Sequence, residues 1–116
     1  MTEDQLQTQV AEYLGRTLPE PPMCFWFHCP NGGKRSAATG ARLKTMGVKR
    51  GVSDILILVR GRLHAIELKV GKNQTSDKQD EFLDAVSEND GQTAVCRSLD
   101  EVKGTLRAWG LVRDET

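Results

Sequence analysis

The chain lacks the cysteine patterns that would make it a disulfide scaffold or a zinc module: Cys24, Cys29 and Cys96 are an odd number and form no CxxC pair. It has no apolar run long enough for a membrane helix, and its polar start, Met1-Thr2-Glu3-Asp4, is not a signal peptide. Internal repeats and low-complexity linkers are missing too, so 116 residues are expected to form one domain, 1–116, with a single core. Net charge is also absent, because 16 Lys and Arg balance 16 Asp and Glu, and overall charge therefore names no partner.

A local absence is more informative. No acid occurs from Pro21 to Ser53, whereas Lys34, Arg35, Arg42, Lys44, Lys49 and Arg50 all fall in that stretch. Asp77, Asp80, Glu81, Asp84, Glu88 and Asp90 crowd a later segment with only Lys78 among them. Such segregation predicts a basic side for phosphate and an acidic side for solvent, set against the plain reading of ordinary surface charge.

The central stretch is Gly51 to Lys69. Ile55 to Val59 and Leu63 to Leu68 are aliphatic runs joined across Arg60-Gly61, which reads as a tight hairpin. With Arg60-Gly61 as a two-residue loop, Val59 faces Arg62 and Asp54 faces Glu67. With the loop at Gly61-Arg62, Asp54 faces Lys69 instead. In either register Asp54, Glu67 and Lys69 share one face of the sheet, and a three-residue loop would put Asp54 on the other. Apolar residues occupy both faces, Leu56, Leu58, Leu63 and Ala65 beside Asp54 and Ile55, Ile57, Val59, Ile66 and Leu68 opposite, as in the middle of a covered sheet. Acids in such a place need a partner or a metal. Two hard oxygen ligands suit Mg²⁺, and Lys69 is placed to orient the attacking water or stabilise charge on phosphorus. A lone Glu-x-Lys on a strand is usually a solvated pair; the conjunction of three groups favours a site.

The remaining elements follow from caps and periodicity. A helix from Glu3 to Gly15 carries the apolar stripe Leu6, Val10, Tyr13 and Leu14, and at about 100° per residue Glu3 and Gln7 lie on the inward side. Met23 to Cys29 reads as a strand, with His28 and Cys29 as core filling rather than metal ligands. Pro30 to Gly33 is a turn, and Ser36 to Met46 a helix closed by Gly47. Ser76-Asp-Lys-Gln79 and Ser98-Leu-Asp-Glu101 are capping-box patterns opening helices to about Asn89 and about Trp109, and Thr93 to Arg97 is the last strand. The strand-helix-strand crossover makes that strand parallel to the one bearing Glu67. The expected fold is α/β: a four-stranded mixed sheet flanked by helices in the order αβ(α)ββαβα, a restriction-endonuclease-like core.

Asp54, a hairpin, then Glu67-Leu68-Lys69 resembles the PD-(D/E)xK nuclease superfamily. Gly47-Val48, Gly51-Val52-Ser53-Asp54 and Leu63-His64-Ala65-Ile66-Glu67-Leu68-Lys69 resemble its VRR-NUC (virus-type replication-repair nuclease) branch, over most of the chain. Ser53 stands where the superfamily often has proline, a position that binds no metal. The resemblance implies a DNA endonuclease acting on branched or structured DNA in replication, repair or recombination, with Mg²⁺ or Mn²⁺ as cofactor. It implies Asp54, Glu67 and the Leu68 carbonyl as metal ligands, Glu3 as a supporting ligand, Lys69 as the catalytic lysine, and Gln79 near the active site, where it otherwise only completes a capping box. Lys34, Arg35, Arg42, Lys44, Lys49, Arg50 and Lys72 are the expected DNA contacts. A homodimer and a cytoplasmic location in a bacterial cell, for a bacterial or phage-encoded protein, are further expectations. The competing readings are a non-catalytic nucleic-acid-binding module derived from a nuclease and a structural protein whose acids pair with Lys69.

Overall fold

The computed structural model describes residues 1–30 and 36–113. Its elements are α1 (Glu3–Thr17), β1 (Cys24–His28), α2 (Ala37–Thr45), β2 (Ile55–Val59), β3 (Arg62–Leu68), α3 (Asp77–Glu88), β4 (Gln92–Cys96) and α4 (Leu99–Ala108). The strands form one mixed sheet in the order β1-β2-β3-β4, with β1, β2 and β3 antiparallel and β3 and β4 parallel, as the crossover required. The architecture is the expected α/β one, a four-stranded sheet flanked by helices.

The hairpin takes the first of the two sequence registers. Val59 pairs with Arg62 and Ile55 with Ile66, and Arg60 and Gly61 both have left-handed backbones, φ 54° and 75°. Two successive positive φ values define the twist that matches adjacent strands in a two-residue hairpin. Alternation then divides the hairpin between two clusters. Ile55, Ile57, Ile66 and Leu68 pack with Leu6, Val10, Tyr13 and Leu14 of α1 and Val102 and Leu106 of α4. Leu56 and Ala65 pack with Val86 of α3, with Phe82 and Leu83 half-buried beside them. Asp54 and Glu67 thus belong to the sheet face that α3 covers.

Strand ends agree with the sequence reading to within one residue, and the differences of substance are at one end of α1 and in the cap of α4. Helix α1 passes Gly15 and runs to Thr17, where Leu18 turns extended (ψ 149°). The stop comes from Pro19, whose ring disfavours a helical residue before it, rather than from glycine. At α4 the Ser98 side chain accepts from Glu101 N–H, but Glu101 Oε1 accepts from Arg97 N–H at 3.0 Å, so the reciprocal half of the capping box is shifted one residue upstream. At α1 and α3 the full box forms, Thr2 with Gln5 and Ser76 with Gln79.

Gly51 ties the loop before β2 to α3. It has φ 85°, and a Cβ on it would run into the Lys78 carbonyl and the Gln79 amide nitrogen. Only glycine lets the loop lie this close to the first turn of α3. The approach brings Asp54 and Gln79 toward the same spot.

Candidate active site

Asp54 stands immediately before β2 and is held from both ends. Its carbonyl accepts from Cys29 N–H at 2.9 Å and from His28 Nδ1 at 2.7 Å. Its Oδ2 accepts from Leu68 N–H at 2.7 Å, a cross-strand bond that fixes the carboxylate against β3. Continuing the hairpin register from Ile55 and Ile66 puts Asp54 level with Glu67.

Glu67 is 2% exposed. Gln79 serves it and the helix cap together: its Oε1 accepts from Ser76 N–H at 2.8 Å, and its Nε2 donates to Glu67 Oε1 at 3.1 Å. The two roles considered for Gln79 from sequence are therefore compatible geometrically, because a carboxamide has an acceptor and a donor to spend separately. The second oxygen, Glu67 Oε2, is buried and no N–H or O–H donor among the described residues reaches it. Burial, then the neighbouring Asp54 carboxylate, pushes the Glu67 carboxyl up to about 8, with a further push from Glu3 and an opposing pull from Lys69. Burial disfavours the charged form of Glu67 and a second carboxyl beside it disfavours it further, which a cation held between the two would offset.

These groups line a cleft of about 450 Å³ whose walls include Glu3, Gln7, His28, Asp54, Glu67, Lys69 and Gln79. The structure therefore brings Glu3, Asp54, Glu67, Leu68, Lys69 and Gln79 together, from α1, the β2 start, β3 and α3. Among the described residues no three His, Cys, Asp or Glu side chains cluster closely enough to hold an ion by themselves. The donor set available is thus two carboxylates, Asp54 and Glu67, plus the Leu68 carbonyl, with Glu3 on the α1 wall. Two oxygen acids, one with an unbonded buried oxygen, fit a hard divalent cation that keeps water in its shell.

The described residues among the expected DNA contacts do not line this cleft. Lys34 and Arg35 lie outside the described residues. Arg42, Lys44, Lys49, Arg50 and Lys72 are all exposed and pair with no acid among the described residues, where Lys78–Glu81 is the ion pair present. α2 buries no residue. The acids of α3 are exposed as well, in keeping with a solvent-facing acidic segment.

Asp4, Gln7, His28 and Pro30 also line the cleft and were not legible as such in the sequence. His28 is exposed at the end of β1 and turned onto the Asp54 carbonyl, so the core-filling reading of this histidine is corrected: the strand ends at His28, and the side chain meets the cleft instead of the interior. Gln7 was placed on the inward side of α1 by periodicity, but nothing distinguished its amide from packing. A polar side chain one turn after Glu3 on an otherwise apolar face was the available signal.

A mixed α/β fold whose hairpin carries an acid, a second acid and a lysine into one cleft defines a nuclease-like class. The VRR-NUC domain family matches residues 2–100, and the chain belongs to that family, a family of nucleases. A solved structure described as a VRR_NUC domain protein is similar in fold, with a TM-score of 0.73 and 24% identity over 92% of this chain and 86% of that one. No curated protein matches the chain. The family and the architecture expected from Asp54 and Glu67-Leu68-Lys69 both hold.

Proposed function

We propose that the protein is a divalent-metal-dependent deoxyribonuclease that hydrolyses phosphodiester bonds, an endonuclease for branched or structured DNA in replication, repair or recombination. The observation that carries this reading is the convergence of Asp54, Glu67 and Lys69 on one cleft with a buried Glu67 oxygen left unbonded. Asp54, Glu67 and the Leu68 carbonyl would hold Mg²⁺ or Mn²⁺, with Glu3 supporting it. The ion supplies Lewis-acid polarisation of the phosphate and a lowered barrier to deprotonating water.

The chain's own residues do the rest. The Leu68 amide holds the Asp54 carboxylate, and Gln79 holds Glu67, so both acids are oriented before substrate arrives. Lys69, two residues after Glu67 on the same face, positions the attacking water and offsets the charge that builds on phosphorus. The exposed Arg42, Lys44, Lys49, Arg50 and Lys72 would bind the backbone away from the cut, which orients DNA without reading its bases. Cutting two strands calls for two such sites, and a homodimer supplies them.

Incubation with end-labelled linear, flapped and four-way DNAs, with and without Mn²⁺, tests the proposal. Metal-dependent cutting that favours the branched substrates is expected. Salt-sensitive binding with no cutting in any metal would favour a binding module instead.

A further inference from the structure

Two side chains in the cleft carry buried polar atoms with nothing to bond. Gln7 keeps both amide atoms, Nε2 and Oε1, out of solvent without a hydrogen-bond partner among the described residues, and Glu67 does the same with Oε2. Both side chains line the same cleft. An amide in this condition has given up water and received no bond in exchange, which destabilises the fold. Native proteins keep few such groups. Packing alone does not call for one here, because a methionine fills a similar volume without polar atoms.

The position of Gln7 supplies the reason. It lies four residues after Glu3 on α1, so the two side chains project from one helical face one turn apart. Glu67 is already gripped at Oε1 by Gln79 from α3, on the opposite side of the sheet from α1. Its free oxygen and the free amide of Gln7 are complementary, one an acceptor and the other a donor.

We propose that Gln7 is a positioning residue of the metal centre: once the cation is bound, its NH₂ bonds Glu67 Oε2 and its oxygen accepts from a water of the site, whereas in the metal-free chain the amide is left unbonded. This rests on the cation reading given under Proposed function. Gln7 acts through Glu67 rather than on the DNA, since its amide atoms are closed off from the surface. Partners of this kind orient a ligand and typically change metal affinity by about 10- to 100-fold when removed.

The test is Gln7→Met, with Gln9→Met on the exposed side of the same helix as control. Thermal unfolding in chelator and Mn²⁺ titration by calorimetry are measured for each full-length protein. Gln7→Met should raise the metal-free Tm by about 3 °C, because an unbonded amide has gone, and should weaken Mn²⁺ binding by about tenfold. Gln9→Met should change neither. A lower metal-free Tm, or unchanged Mn²⁺ affinity while the wild type binds, overturns the inference and leaves the nuclease reading standing. A wild type that binds no Mn²⁺ overturns both.

Discussion

Replacing Glu67 with glutamine keeps the shape of the side chain and removes its charge, and the structure sets what should follow. The carboxyl titrates near 8 in the folded chain against 4.5 in the ordinary case, pushed up first by burial and then by Asp54. Between these values the folded state holds a proton that the unfolded state has released. Stability therefore falls as pH rises through this window and is fully present only below about 4.5. Each pH unit crossed costs about 1.4 kcal/mol, so passing from pH 5 to pH 7 should weaken the metal-free wild type by about 2–3 kcal/mol through this group alone. Glu67→Gln lacks that dependence. The difference in Tm between variant and wild type, measured in chelator, should widen by about 10 °C from pH 5 to pH 7. Subtracting the two curves removes the contribution of other groups. Among these is His64, held below its ordinary value by burial and then by Arg62, which loses stability in the opposite direction as pH falls through about 6.5. Mn²⁺ should restore the wild type at pH 7 and leave Glu67→Gln almost unmoved. A Tm difference that stays flat across pH 5 to 7 refutes the reasoning about the buried charge.

Gly51→Ala should lose more than about 2 kcal/mol in urea unfolding, since the residue has φ 85° and its Cβ would meet α3 backbone; a loss under about 0.5 kcal/mol would contradict the contact. Ser53 is fully buried with a hydroxyl that bonds nothing among the described residues. Ser53→Ala should stabilise the chain by about 1 kcal/mol by removing an unpaired polar group, and destabilisation measured by the same method would point to a bond at Ser53.

The parts of the molecule written in the sequence are those decided by neighbours in the chain. Arg60-Gly61 is short enough to set the hairpin register, and once it is set, alternation alone carries Asp54 and Glu67 to one face. Ser36, Ser76 and Ser98 mark helix starts because a cap is a local bond. The sequence marks Gly15 as the end of α1, but a glycine in a helix costs only about 1 kcal/mol and the helix continues two residues past it to Thr17, where Pro19 forces the break. His28 was misread because its role depends on the carbonyl of a residue 26 positions away. Gln79 left two readings open for the same reason, since its second bond goes to β3. The charge pattern of 21–53 was visible, yet sequence gives no distance from those side chains to the cleft, and the described ones stand apart from it.

The central claim is that Asp54, Glu67 and Lys69 form a hydrolytic centre, and Lys69→Ala tests it most directly. Lys69 lines the cleft from the end of β3, where its backbone N–H bonds the Cys96 carbonyl independently of its side chain, so the fold should survive the change. Cleavage of labelled four-way DNA with Mg²⁺ or Mn²⁺ should fall by about 100-fold or more, with the circular dichroism spectrum and DNA binding retained. Metal-dependent cleavage persisting undiminished in Lys69→Ala would contradict the account.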